Sequence, residues 1–265
     1  MANRDNRLVE SLNNVSRPRI GSRENEYTPT GYQVSKWLNP DQTGSETGGT
    51  TANPIFRSAE AYCIYLEAYY ERHKDLGGNC DSYWKALRSR AKTNTDYMET
   101  INHTDLSKER DLAAKTKGID ATLYNIRRER RCEFIAEGMR LNDLKRWRAL
   151  DYMVNYDMMG MNLWEEMYKR FAGEDGTIEI NPDVISQYEP GDPDGKYIRV
   201  FKVNESDKAY NGYNFPKPHY LEPIPLSEIL LTADDATDLD NSNIYQNPGW
   251  PVETGSVADY TYDCD

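Results

Sequence analysis

The sequence predicts a mainly α-helical protein with a small β-hairpin and long irregular loops. Between residues 55 and 70, spacings of three and four residues predict an amphipathic helix whose apolar face is made of Ile55, Ala59, Tyr62, Leu66 and Tyr69. The same period runs through residues 123–147, although arginines and glutamates crowd that stretch. Beyond Gly173 the pattern changes to alternating residues and turn-forming Gly, Pro and Asp, which favours strands and loops.

The charge of the chain restricts the classes of partner. The 265 residues carry a formal net charge of −12, and 29% of them are charged. A chain this acidic is repelled by phosphate backbones and by anionic lipid headgroups. The charge therefore excludes nucleic acid as the main partner, and it argues equally against an anionic membrane surface.

Two helices are predicted first. Asn53 can cap the first of them, and Gly77 and Gly78 end it. A second helix follows over residues 82–91, so the two form an αα-hairpin of the kind found in helical-repeat arrays. No second copy of this unit is visible in the sequence, and the hairpin alone does not establish a repeat.

The next elements are less regular. We expect a loop at residues 92–104 and a weak helix over residues 105–117. Asp120 can cap a charged helix that ends at Gly138, where a left-handed residue is favoured. The Met-rich residues 153–171 are expected to be helical, with an interruption at a glycine.

The last third of the chain is expected to form a β-hairpin and loops. Residues 177–180 and 197–203 alternate like the two strands of a hairpin. The expected division is an extended lead-in (1–54), a helical scaffold (55–171), the β-hairpin with loops (172–250) and a disordered tail (251–265).

A charged clasp is predicted within residues 126–147. Arg130 and Glu137 fall on the face of the helix that is expected to be buried, and Glu133 lies three residues after Arg130. A buried charge is tolerated only when it is paired, and the fork of Arg130 is placed to reach both carboxylates. We therefore interpret these three residues as a structural clasp.

The same pair of glutamates raises the alternative of a glycoside hydrolase. Paired carboxylates are what a glycosidase requires, but neighbouring arginines would lower their pKa values and impair a general acid. No histidine has the sequence context of a Ser-His-Asp site, and the four cysteines lack metal-ligand spacing. The sequence predicts no catalytic residue, no metal site and no cofactor.

Several motifs in the chain resemble, in order, those of the SusD/RagB family. The segments that carry the resemblance are Arg4–Leu8, Phe56–Glu60, Leu87–Ala91, Arg127–Phe134, Glu137–Trp147, Tyr220–Pro225 and Gln246–Trp250. Asn6 stands where the family usually has proline, and Leu66 stands where it has alanine before Glu67. Each motif alone is weak, whereas the full set in the right order is a specific signal.

The resemblance implies a tetratricopeptide-related helical scaffold and a role in nutrient uptake. Members of this family are outer-membrane lipoproteins that capture oligosaccharide or another nutrient at the cell surface. They hand it to a TonB-dependent, SusC-like transporter, as part of polysaccharide utilisation. Family members are longer and begin with a signal peptide and a lipobox cysteine, so we expect this chain to correspond to a C-terminal half.

The glycan-binding residues are the least determined part of the prediction. The chain has 20 Tyr against only 5 Phe, and tyrosine stacks well on sugar rings. Tyr32, Trp37, Tyr210 and Tyr213 are our candidates from composition and position, because the matched motifs themselves are scaffold in the family. One alternative is a helical protein-interaction module with no glycan binding of its own.

Overall fold

The structure confirms the mainly helical prediction. The computed structural model describes residues 12–13, 28–34, 36, 52, 54–165, 172, 174–176, 181–235, 239–253 and 255–263. These residues contain six α-helices and two small antiparallel pairs of strands. Trp37 and the predicted strand 177–180 lie outside the described residues.

The predicted αα-hairpin is present as α1 (Ser58–His73) and α2 (Cys80–Arg90). The helix α1 ends at His73 because Lys74 adopts a left-handed conformation (φ 57°) and its N–H donates to the Tyr70 carbonyl. Gly77 and Gly78 lie in the turn after this cap and do not end the helix themselves. The αα-hairpin prediction is thus confirmed, with helix boundaries displaced by up to four residues.

Two predictions in the next segment are wrong. The expected loop contains a short helix, α3 (Tyr97–Asn102), because the Asp96 carboxylate accepts a hydrogen bond from the Glu99 N–H and caps it. The expected helix over residues 105–117 consists of two separate 3₁₀ turns. Asp105 and Asp111 each cap one of these turns, and such side-chain bonds compete with a continuous helix.

The charged helix is α4 (Ala121–Glu133), and it is followed by α5 (Arg140–Arg146). The Asp120 carboxylate accepts from the Leu123 N–H, so the predicted cap is confirmed. The helix ends at Glu133 and not at Gly138. Lys36 Nζ donates to the Glu133 and Ile135 carbonyls at 3.0 and 3.1 Å, which satisfies helix-end oxygens that would otherwise lack partners.

The Met-rich segment is not helical in the described residues. It contains the strand β3 (Met159–Asn162), which pairs antiparallel with β4 (Tyr197–Arg199). A side chain at Gly160 would lie 2.4 Å from the Thr30 carbonyl oxygen, so this strand packs directly on the backbone of an early segment. The predicted strand 197–203 therefore finds its partner earlier in the chain than expected.

The early and late parts of the chain add small elements to the helical part. The strands β1 (Leu12–Asn13) and β2 (Gln33–Val34) pair antiparallel, and α6 (Leu226–Thr232) follows the Pro-rich segment. Residues 255–263 fold back on the protein, since Ala258 is buried and the Asp259 N–H donates to the Gly249 carbonyl at 2.8 Å. The prediction of a disordered tail is therefore wrong for these residues.

The main hydrophobic core lies where the first four helices meet. Helix α1 packs on α2 and on α4, and α3 packs on α4. Trp84 of α2 stacks on Tyr97 of α3 with ring centroids 4.5 Å apart, and Leu66 and Ile126 fill the space between α1 and α4. This core holds α4 against both arms of the hairpin, so its charged side chains are carried inward.

The charged clasp is buried, but its ion pairs differ from those expected. Arg57, which precedes α1, donates to Glu133 at 2.5 Å and to Glu137 at 2.7 Å, so Arg57 and not Arg130 bridges the two carboxylates. Glu133 also pairs with Arg90 of α2, and Glu137 with Lys36. The partners come from other elements because the carboxylates point away from their own helix. Their nearest cations therefore belong to the segments packed against that face.

Arg130 is instead paired with Asp143 of α5. Its Nε donates to the Asp143 carboxylate at 2.8 Å, and Arg146 donates to the same group at 2.9 Å. Arg146 continues to Glu67 of α1 at 2.6 Å. A chain of charge pairs therefore joins α4, α5 and α1.

Glu67 accepts hydrogen bonds from three different side chains. Besides Arg146, it accepts from the Trp147 indole N–H at 2.6 Å and from Arg127 at 3.2 Å. The Arg127 and Arg146 guanidiniums also lie over the Trp147 ring, 4.8 Å from its centroid. Cation–π contacts of this kind add to the charge pairs and fix the orientation of the ring.

The same arrangement recurs at the other buried acids. Asp111 is held by Arg131 and Arg140, and Glu129 accepts from the Trp84 indole at 2.8 Å. We refer to the five acids that are at most 9% exposed as the buried carboxylates: Glu67, Asp111, Glu129, Glu133 and Asp143. Each one bonds to side chains from at least one other element, so the charges tie the elements together.

Replacing Arg130 by alanine should destabilise the fold strongly. The change leaves the Asp143 carboxylate buried with one cation fewer, and breaking a buried pair in this way costs about 3–5 kcal/mol. Arg128→Ala is the matched control on the same helix, because Arg128 and its partner Glu109 are each 30% exposed. Exposed pairs contribute at most about 1 kcal/mol, so urea unfolding should separate the two variants clearly. Equal losses in both would show that Arg130 behaves as a solvated residue.

The stability of the fold should also fall in acid. Burial alone would raise the pKa of Asp111, but the Arg131 and Arg140 guanidiniums outweigh it and hold the pKa below its usual value. A group whose pKa is lowered by folding adds stability above its unfolded pKa and loses it as the pH falls through the folded pKa. The free energy of unfolding should therefore be constant above about pH 5 and decrease below about pH 4.

Asp111→Asn should make this acid dependence shallower, whereas Asp183→Asn, at an exposed carboxylate, should leave it unchanged. The measurement is the urea unfolding midpoint from pH 3 to pH 7. An Asp111→Asn protein with the acid dependence of the wild type would contradict the lowered pKa.

Candidate functional site

A row of aromatic rings lies on the outer side of the α1–α2 hairpin. Tyr62 stacks on Tyr83 with centroids 4.4 Å apart and planes 11° apart, and Tyr65 meets Tyr83 edge-on at 5.1 Å. Tyr69 continues the row to Tyr65 at 5.7 Å and to His73 at 4.4 Å. We call these five residues the tyrosine ladder. Its tyrosines are half-buried and its histidine is exposed, so each ring keeps part of its surface in water.

The ladder arises from the spacing of aromatic residues on α1. Tyr62, Tyr65, Tyr69 and His73 follow one another at intervals of three, four and four, which places them on one side of the helix. The sequence prediction assigned Tyr62 and Tyr69 to the buried face. The structure buries Ala59, Cys63, Leu66 and Tyr70 instead, so the face is rotated by about one residue. The aromatic spacing was the signal that could have identified the ladder.

The turn after α1 holds the rings in place. The Tyr65 hydroxyl accepts a hydrogen bond from the Asn79 N–H at 3.2 Å. A side chain at Gly78 would lie 2.5 Å from the Tyr65 hydroxyl, and one at Gly77 would lie 2.6 Å from the Tyr69 hydroxyl. The paired glycines thus let the backbone approach the rings. Burial and the nearby Asp75 raise the pKa of Tyr69 above its usual value.

The predicted tyrosines lie in a different place, along the segment that leads into β3. Tyr32 is 41% exposed and follows Thr30, whose carbonyl accepts from the Met161 N–H at 2.9 Å. Tyr213 is half-buried, pairs with Tyr156 through the backbone and meets Phe201 edge-on at 5.2 Å.

The structure does not bring the predicted tyrosines to one point. Their two attachment points, Tyr156 and Met161, are five residues apart, or about 16 Å for an extended chain. Tyr210 is half-buried in the turn before Tyr213. We call Tyr32, Tyr210 and Tyr213 the loop tyrosines.

A cavity of about 500 Å³ opens beside this segment, between it and the turn from α4 to α5. Met139, Met153 and Met158 line it, together with Tyr156 and Arg130. Its size is within the range of small-molecule sites, and methionine walls adapt to ligands of different shape. The cavity adjoins the loop tyrosines through Tyr156, which bonds to Tyr213.

The clasp glutamates are not arranged for hydrolysis. Burial alone would raise the pKa of Glu137, but its hydrogen bonds to Arg57 and Lys36 outweigh this and hold the pKa below its ordinary value. A general acid requires a raised pKa, so Glu137 is unsuited to protonate a leaving group. Glu133 is occupied by Arg57 and Arg90. The geometry therefore gives the glycoside hydrolase alternative no support.

Metal-binding clusters and membrane-spanning helices are both absent from the described part of the chain. No group of three or more His, Cys, Asp or Glu residues there is placed to hold a metal ion. Within the same residues, no helix combines the length and the apolar character that crossing a membrane requires.

Comparison with known proteins gives one result. The family model described as the SusD family matches residues 7–250. No curated protein and no solved structure matches the chain. The family match spans most of the 265 residues and includes the helical hairpin, the charged helix and the closing motifs. The helical, tetratricopeptide-like fold agrees with it, and the chain therefore belongs to the SusD family.

Proposed function

We propose that this chain binds glycan for a nutrient-uptake system at the cell surface. It captures an oligosaccharide and passes it to a TonB-dependent, SusC-like transporter in the outer membrane. The observation that carries the proposal is the family match over residues 7–250, because SusD proteins are non-catalytic binding proteins of SusC/SusD uptake systems. The whole protein would accordingly be a lipoprotein located at the cell surface.

The tyrosine ladder is the surface that best fits glycan binding. Sugar faces stack on aromatic rings, and binding is strongest when the rings are already held in position. The ladder rings are held by one another and by the glycine turn, so little conformational entropy is lost when a sugar binds. We propose Tyr62, Tyr69 and Tyr83 as stacking residues. The loop tyrosines and Trp37 remain candidates for a second contact.

A protein-interaction role is the second candidate function. Ile55 and Phe56, just before α1, are 81% and 87% exposed, and Ile64 on the same helix is 54% exposed. Exposed apolar residues are a common feature of surfaces that contact another protein. These residues are suited to contact the transporter or another subunit. If the chain is a protein-interaction module, this contact would be its whole function.

The charged clasp has a scaffolding role in this proposal. Arg130, Glu133 and Glu137 take part in the ion pairs described above. Their charges therefore hold the fold together, and we do not assign them to ligand binding. The domain division into a lead-in, a helical scaffold, a hairpin with loops and a tail is likewise part of the proposal. The tail is joined to the remainder by the bond from Asp259 to Gly249.

Glycan binding by the wild type and by two tyrosine variants tests the proposal. The wild type should bind at least one member of a panel of neutral and acidic polysaccharides in affinity electrophoresis and calorimetry. Tyr62→Leu should weaken that binding by about two- to tenfold, since an aromatic stacking contact contributes about 0.5–1.5 kcal/mol. Tyr245→Leu, at a tyrosine that is 82% exposed and outside both candidate surfaces, should have no effect.

Tyr32→Leu distinguishes the two surfaces, because it should weaken binding only if the loop tyrosines contact the glycan. A protein that binds no polysaccharide but forms a stable complex with a co-expressed TonB-dependent transporter would refute the glycan proposal and support the interaction alternative. Equal effects of Tyr62→Leu and Tyr245→Leu would remove the ladder from the site.

A further inference from the structure

The cavity of about 500 Å³ beside the turn from α4 to α5 carries an excess of positive charge. Among the described residues that line it, three are arginines (Arg130, Arg131 and Arg140) and two are acids (Asp111 and Asp143). The other lining residues are uncharged, so one positive charge is left over. The whole chain has a net charge of −12, and this cavity therefore differs from its surroundings in sign.

The excess charge is located at Asp111. One oxygen of its carboxylate accepts from Arg131 and the other accepts from Arg140, so a single acid faces two cations. The neighbouring chain of ion pairs is balanced, because three arginines in it meet three acids. Its members are Arg127, Arg130, Arg146, Glu67, Glu71 and Asp143.

Both arginines at Asp111 keep nitrogens available for a ligand. Arg131 contacts the carboxylate through Nη1 alone, and Arg140 contacts it through Nη2 alone. Within the described part of the chain, their other guanidinium nitrogens have no hydrogen-bond partner. The two side chains are 45% and 35% exposed, whereas that of Asp111 is 3% exposed. The unused donors are therefore accessible, unlike the acid that holds the two arginines in place.

The chemistry of these donors favours a carboxylate. A guanidinium only donates, and its planar fork matches the two oxygens of a carboxylate. One carboxylate also carries the single negative charge that the excess requires. A phosphate group, with about two negative charges, would leave one of them unbalanced, and a water molecule or a neutral hydroxyl would cancel none.

The remaining walls of the cavity are apolar, which indicates an organic ligand. Met139, Leu144, Met153 and Met158 line it, and Met158 is 45% exposed. Covering apolar surface of this kind is favourable, and methionine adapts to different shapes. An inorganic anion would leave these walls in water, whereas a volume of about 500 Å³ is within the range of small-molecule sites.

We propose that this cavity binds a small organic carboxylate. Its charged group contacts Arg131 and Arg140, and its body lies against the methionines. The inference goes beyond the glycan proposal, because it does not depend on the tyrosine ladder. An acidic sugar and an aromatic acid share this chemistry, and they differ only in the body that the methionines would cover.

Binding of two carboxylates and of their neutral counterparts tests the proposal. The full chain is titrated in a calorimeter at low ionic strength, where exposed charges are least screened. The ligands are D-glucuronate with D-glucose as its counterpart, and benzoate with benzyl alcohol. At least one carboxylate should bind saturably, and about tenfold or more tightly than its counterpart, because charge-assisted hydrogen bonds are the stronger ones. The preferred carboxylate identifies the source as a sugar acid or an aromatic acid.

Arg131→Gln should weaken this binding by about tenfold or more, because it removes one fork and the excess charge. Arg128→Gln is the matched control, three residues earlier on α4, since Arg128 pairs with Glu109 and does not line this cavity. Tyr62→Leu, in the tyrosine ladder, should also leave carboxylate binding unchanged.

A second pair of variants, Met158→Glu and Met158→Lys, leaves every ion pair intact and keeps the test valid if Arg131→Gln fails to fold. Both place a charge at the same exposed wall of the cavity. Met158→Glu should weaken carboxylate binding by about tenfold, because its own charge offsets the excess. Met158→Lys should bind at least as tightly as the wild type.

Three results would overturn the proposal. The first is that neither carboxylate binds more tightly than its neutral counterpart, and the second is that Met158→Glu and Met158→Lys bind with equal affinity. The third is that inorganic phosphate displaces the carboxylate at equal concentration, which would indicate an adventitious ion only. None of these results decides polysaccharide binding by the ladder, which Tyr62→Leu tests separately.

Discussion

The structure depends on one constraint: an ionised carboxylate inside a protein must be paired. Among the described residues, five acids are at most 9% exposed, and each is held by arginine or indole donors from another element. Such pairs do not by themselves make a fold more stable than a well-packed apolar core would. They specify the arrangement of the elements, because moving one element away would leave a buried charge unpaired. Arg57, Asp143 and Glu67 thereby set where the hairpin and α5 sit against α4.

The sequence could suggest which charged residues are buried in the clasp but not which residues form ion pairs with them. Asp120 capped its helix as expected, since a cap depends on neighbours within three residues. The pairing of Glu133 with Arg57 joins residues that are 76 positions apart, and no local pattern contains that information. The helix expected over residues 105–117 failed because of local bonds. The Asp105 and Asp111 side chains cap two separate 3₁₀ turns, and the weak apolar periodicity of the segment does not favour a continuous helix enough to replace them.

The candidate site was harder to predict than the scaffold. A rotation of α1 by about one residue decides whether Tyr62 and Tyr69 belong to the core or to the surface, and hairpin packing sets that rotation. The loop tyrosines depend on contacts between distant segments, such as that of Gly160 with Thr30. Scaffold motifs therefore identify the family, whereas the residues that we propose for glycan binding lie outside them.

The coupling energy between Glu67 and Arg127 tests most directly whether buried charge pairs tie the helices together. Both side chains are 9% exposed, they lie 3.2 Å apart, and they belong to α1 and α4. A double-mutant cycle with Glu67→Ala, Arg127→Ala and the double variant, measured by urea unfolding, isolates their interaction. The account predicts a favourable coupling of about 1–3 kcal/mol. Additive losses, with a coupling below about 0.3 kcal/mol, would contradict it.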